Sequence, residues 1–200
     1  MKKRIAALLL VLCLAVLSGC GSKYPARTAQ GEPWDESWEI LGSVLGVEAP
    51  GNGFALLDNN SILTAQDTYL ATWVSGDPID YVTADGEEAQ IYEAEMFLLL
   101  QGCKDSENAR IALDEWMTLA ENSYTVSETR TETHNGQEYT VLTYTVDSQT
   151  NPYSQGVSAY AIFENYAVSA EFTCLDSYTG DGAAILGNFL NGCHYAGTES

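Results

Sequence analysis

Residues 124–146 read YTVSETRTETHNGQEYTVLTYTV, two runs rich in Thr, Val and Tyr on either side of Asn135-Gly136. An Asn-Gly pair accepts the positive φ angles that a two-residue hairpin turn requires, so the stretch is expected to form strands over Tyr124–Thr133 and Glu138–Val146. The pattern then repeats. Strands are expected over Val157–Phe163 and Tyr166–Cys174, with Glu164-Asn165 as the turn between them and Asn151-Pro152 in the preceding loop. Four successive strands with hairpin-length connections point to an antiparallel sheet.

Upstream, Thr68–Val74 alternates, and Asp80–Ala84 and Glu88–Gln101 flank Asp85-Gly86, a second hairpin signal. Both faces of Glu88–Gln101 are apolar, so this arm is expected to be covered on both sides. Asp105 or Ser106 can cap a helix running to Glu121, with Ala109, Ala112, Leu113, Trp116, Leu119 and Ala120 on one side. Asp181 caps a last helix carrying Ile185, Leu186, Phe189 and Leu190, closed by Gly192. Near the start, Pro33 and the spacing of Trp34, Trp38, Leu41 and Leu45 suggest a short helix, ended by Ala49-Pro50-Gly51-Asn52-Gly53. The expected fold class is α+β: an antiparallel sheet of hairpins with a long central helix and a C-terminal helix packed on it, both on one face. The order of helix, strand meander and closing helix over Phe54–Tyr195 is similar to PsbP-like domains, a fold found in exported and lipid-anchored bacterial proteins. That resemblance bears on fold and carries no site residue.

The N-terminus supplies an address. Lys2, Lys3 and Arg4 precede an apolar run from Ile5 to Leu17, which leads into Leu17-Ser18-Gly19-Cys20. The run is too short for a spanning helix and has the layout of an export signal. The motif resembles the signal of bacterial lipoproteins. That resemblance implies a diacylglycerol on the Cys20 thiol, cleavage on its N-terminal side and attachment to the extracytoplasmic side of the cell membrane, and two acyl chains anchor stably where one does not. The expected organisation is a signal peptide over 1–19, a polar tether over 20–32, a helical appendage over 33–48 and a single α+β domain over 53–197.

Charge narrows the partners. Loss of residues 1–19 would leave five basic against 28 acidic side chains, a net charge of −23. Such a surface repels phosphate backbones and anionic headgroups, which argues against nucleic acid and polybasic membrane binding and leaves basic partners and cations open. Excess Asp and Glu also keep an exported domain soluble. Beyond Cys20, the expected mature chain holds Cys103, Cys174 and Cys193. Cys174 continues a buried alternation, whereas Cys103 and Cys193 follow glycines at element ends, so the expected disulfide is Cys103–Cys193, with Cys174–Cys193 as the alternative.

Catalytic motifs are sparse. The two histidines, His134 and His194, lie at a hairpin turn and beside Cys193, and no Cys-x-x-Cys or His-x-x-x-His element accompanies them to complete a zinc site. There is no nucleophile elbow, phosphate loop or dinucleotide fingerprint, so no cofactor or metal is implied. Acidic loops at Asp58, Asp77–Asp80 and Asp176–Asp181 lack EF-hand spacing. Glu93, Glu95 and Glu164 could converge with other carboxylates in space. Tyr153 and Tyr178, in expected loops, are the candidate ligand contacts. The favoured function is a membrane-anchored, non-catalytic binding or accessory module that contacts an envelope protein or glycan. The alternatives are a cell-envelope hydrolase using paired carboxylates and an envelope-assembly subunit.

Overall fold

The computed structural model describes residues 37–40, 45–48, 50–51, 53–57, 68–146 and 151–195. The signal peptide, Cys20 and the tether lie outside them. Among the described residues are strands β1 (Ser37–Ile40), β2 (Leu45–Glu48), β3 (Phe54–Leu56), β4 (Thr68–Ser75), β5 (Ile79–Val82), β6 (Glu88–Ile91) and β7 (Ala94–Gly102), then helix α1 (Ser106–Ser123). The chain continues through β8 (Thr125–His134), β9 (Gln137–Thr145), β10 (Gln155–Phe163), β11 (Tyr166–Cys174), α2 (Gly182–Asn191) and β12 (Cys193–Tyr195).

Seven strands form one antiparallel sheet in the order β3-β4-β7-β11-β10-β9-β8. The β8–β9 turn is the expected one, with Asn135 at φ 47° and Gly136 at φ 78°. β7 and β11 are central and buried along nearly their whole length, so both sheet faces are covered. On one face Met96, Leu98 and Leu100, Val168, Ala170 and Phe172, and Val157 and Ala159 meet Ile185, Leu186, Phe189 and Leu190 of α2. On the other, Leu142, Tyr144, Tyr160 and Ala167 meet Ala109, Ala112, Leu113 and Ala120 of α1. The fold is α+β as expected, but the helices lie on opposite faces because each has its own apolar stripe and the central strands offer two. The Asp105 side chain caps α1 by accepting from the Asn108 amide, and the Asp181 side chain caps α2 by accepting from the Ala184 amide.

Two further expectations are corrected. The helix over 33–48 is absent from its described part, where β1 and β2 pair with each other and β2 pairs with β12 from the far end of the chain. Leu45 and Val47 are buried in the α2-side core, so this segment belongs to the domain and is not a helical appendage to it. The Asp85-Gly86 hairpin does form, yet its second arm breaks after Ile91: β5 and β6 make a separate two-stranded sheet and β7 starts anew at Ala94.

Candidate functional site

Cys103 and Cys193 are not bridged; none of Cys103, Cys174 and Cys193 forms a disulfide. The sheet is the reason. Cys103 packs with the α1-side cluster, whereas Cys193 is buried in the α2-side core. Each thiol donates to a nearby carbonyl, Cys103 to Gln101 at 3.8 Å and Cys193 to Phe189 at 3.5 Å. Cys174 shares the core with Cys193 and is likewise unbridged, so the alternative pairing does not form either.

The two tyrosines expected to be exposed are packed inward. Tyr153 is only 8% exposed; its backbone follows the Asn151 side chain, and its hydroxyl accepts from the Tyr92 amide at 3.3 Å. The Tyr178 ring lies 5.7 Å from that of Phe172 against the α2-side core. His134, expected at an exposed turn, is held between Glu132, with Nε2 2.7 Å from a carboxylate oxygen, and Asn191 of α2, with Nδ1 at 3.2 Å. It fastens the β8–β9 turn to that helix. For His194 the backbone pairing in β12 is what the structure describes. Glu93 is exposed near Gly76, and Glu164 occupies the β10–β11 turn at φ 53°.

Of the three candidate glutamates, Glu95 finds a partner. In the β7–β11 register Glu95 stands opposite Thr173 and Phe97 opposite Glu171. Glu95 and Glu171 are thus diagonal neighbours on the α1 face, about 7–8 Å apart at the backbone, a distance that side chains of this length span. The next strands extend both rows: Thr173 faces Gly156 and then Tyr144, while Glu171 faces Ser158 and then Leu142. Gly156 makes the geometry possible. A Cβ there would lie 2.5 Å from the Tyr144 ring. With that space open, Tyr144 lies flat across the strand and its hydroxyl donates to Glu171 Oε1, while Ser158 donates to the same hydroxyl at 3.3 Å. Tyr124, where α1 ends, stacks on Tyr144 with centroids 4.3 Å apart and an interplanar angle of 11°. On the other flank the Tyr153 hydroxyl donates to Glu95 Oε1.

Electrostatics follow from this burial. Desolvation raises the pKa of Glu171, opposed by the Tyr144 hydrogen bond and reinforced by the charge of Glu95. Glu95 is raised for the same leading reason, opposed by Tyr153. Desolvation, together with the adjacent carboxylates, pushes Tyr144 and Tyr153 well above the ordinary phenol range. Among the described residues no salt bridge relieves the pair. Among the described residues the Lys and Arg side chains are Lys104, exposed before α1; Arg110, paired with Glu107 and Asp114; and Arg130, paired with Glu128 and Glu132. Sequence reasoning singled out Glu95 and Tyr153 but missed Glu171, Tyr144 and Thr173. The available signal was the polar alternation Ser169, Glu171, Thr173 on an otherwise apolar strand.

The architecture, a two-faced antiparallel sheet with one helix on each side, is a PsbP-like α+β fold. The solution structure of cyanobacterial PsbP (CyanoP) from Synechocystis sp. PCC 6803 matches with a TM-score of 0.50 at 9% identity, over 90% of this chain and 98% of that one. No protein-family model matches the chain. No curated protein matches it either. At this identity the likeness concerns the fold alone.

Proposed function

We propose that the protein is an extracytoplasmic lipoprotein, anchored through Cys20, whose PsbP-like domain serves as a non-catalytic binding or accessory module for an envelope protein or glycan. The observation that carries the non-catalytic reading is the state of the converging carboxylates. Each is hydrogen-bonded through Oε1 to a largely buried tyrosine of the fold, so each acid is tied into the fold through one oxygen instead of being presented whole to a substrate. The address rests on Leu17-Ser18-Gly19-Cys20. Cys20→Ala should move the full chain from the membrane fraction to the soluble fraction, and a crosslinking pulldown from native membranes should recover a partner with the wild type that this variant loses. Detergent-dependent retention of Cys20→Ala would overturn the anchor.

Convergence of Glu95 and Glu171 with raised pKa values also favours a second reading, an envelope hydrolase in which one carboxyl is the acid and the other the base or nucleophile. Under that reading purified wild-type protein releases soluble fragments from cell-wall glycan and Glu171→Gln does not. The non-catalytic reading expects no release from either.

A further inference from the structure

The acid pair has features that hydrogen bonding to tyrosine leaves unexplained. Two carboxylates sit as diagonal neighbours on one sheet face, and among the described residues Arg110 and Arg130 are paired elsewhere while Lys104 is exposed ahead of α1. Each phenol takes Oε1 of its glutamate, so Oε2 of Glu95 and Oε2 of Glu171 lie outside those bonds. Directly across from Glu95, Thr173 is 7% exposed, and its Oγ1 is buried without a hydrogen-bond partner. The Ser154 hydroxyl, two residues before Gly156 on the same side of the chain, is likewise buried and unsatisfied. A buried hydroxyl normally finds a partner, and leaving one without costs about 1–3 kcal/mol. Here one stands beside two carboxylates and bonds to neither.

The donors have one chemistry. All are hard oxygens, two of them formally anionic, which suits an oxygen-seeking divalent cation and does not suit a soft thiophilic metal. We propose that Glu95, Glu171 and Thr173 form a binding site for a hard divalent cation of the calcium class, with Ser154 at its edge and water completing the coordination. The cation supplies the counter-charge that the described residues lack at this point and gives the Thr173 oxygen its partner. Among the described residues no group of three or more His, Cys, Asp or Glu is placed to hold a metal ion. Two carboxylates without a third therefore place the site in the weak class of extracellular calcium modules, with Kd about 0.1–1 mM. The proposal is independent of the lipid anchor and of the partner: it concerns what the domain itself binds.

The test is a calcium chloride titration of the full chain in detergent at near-physiological ionic strength, followed by near-ultraviolet circular dichroism. Tyr144 and Tyr153 touch the two carboxylates and should report occupancy. A saturable change is expected, weakened at least tenfold in Glu171→Gln and several-fold in Thr173→Val, and unaltered in Glu138→Gln, which removes an exposed acid on β9. Thr173→Val preserves shape and both carboxylates, so it decides the matter should Glu171→Gln fail to fold. A flat titration overturns the proposal and leaves the two hydroxyls to water. Equal calcium affinity in wild type, Glu171→Gln and Thr173→Val overturns it as well, because the ion would then be held by the acidic surface at large.

Discussion

Glu171 shows how a single strand position acquires its properties from neighbours that sequence order hides. Its pKa is raised above 4.5 by burial, so the folded protein binds a proton there that the unfolded chain releases. A carboxyl of this kind contributes stability fully present below the unfolded value, and that contribution shrinks as pH rises through the folded one. Glu95 acts in the same direction. Glu132 acts in the opposite sense: its bond to His134, with help from Arg130, lowers its pKa, so its contribution is lost only as pH falls below about 4.5. The two windows do not overlap. The thermal unfolding midpoint should therefore rise as pH falls toward the ordinary carboxylate value, and Glu171→Gln should flatten that rise while matching or exceeding the wild type at the alkaline end. A steeper profile in the variant would contradict this assignment.

Gly156 makes the complementary case by what it lacks. Gly156→Ala puts a methyl 2.5 Å from the Tyr144 ring, which is stacked under Tyr124 and has little room to retreat. Overpacking of this kind costs about 1–3 kcal/mol. Urea unfolding should report the loss, and the near-ultraviolet signal of the stacked rings should fall with it. Sequence reading reached Glu95 because it is a carboxylate on an expected strand. It could not reach Glu171 or Tyr144 as partners, because their meeting depends on registers between strands far apart in the chain.

At the scale of elements, the hairpins were the legible part. Asn135-Gly136 and Glu164-Asn165 set the registers of β8–β9 and β10–β11 locally, and the α1 and α2 caps were visible as Asp105 and Asp181. Asp181→Ala removes the acceptor of the Ala184 amide and should cost about 0.5–2 kcal/mol. For a chain of this size that is a fall of roughly 2–4 °C in midpoint per kcal/mol, read by calorimetry. The loss belongs to α2 because Ile185, Leu186, Phe189 and Leu190 seal the larger core. Residues 37–48 went unread for a physical reason. A short strand cannot satisfy its backbone N–H and C=O groups within itself, and the second partner of β2 arrives only at Cys193–Tyr195. Without that partner, Trp34, Trp38, Leu41 and Leu45 look like one face of a helix.

For the whole molecule, the central strands β7 and β11 dictate two covered faces, and the expectation of both helices on one side fell to that requirement. The same partition separates Cys103 from Cys193. Stability should accordingly be indifferent to reductant: unfolding midpoints with and without a thiol reductant should coincide, and non-reducing peptide maps should contain no crosslinked peptide. A Cys103–Cys193 peptide would refute the arrangement of layers itself.

The small sheet β1-β2-β12 joins the beginning of the domain to its end, and it stands apart from the seven-stranded sheet. Under mechanical load it becomes a fuse. Tension drawn through the chain ahead of Ser37 reaches β1 at the residue paired with Glu48, so the β1–β2 ladder opens one rung at a time from Ser37–Glu48 toward Ile40–Leu45. Peeling of this kind needs little force, because one pair yields before the next is loaded. Under such a pull the β1–β2 ladder is expected to open before β4 and β7 are loaded, so the acid–tyrosine cluster should outlast the entrance to the domain.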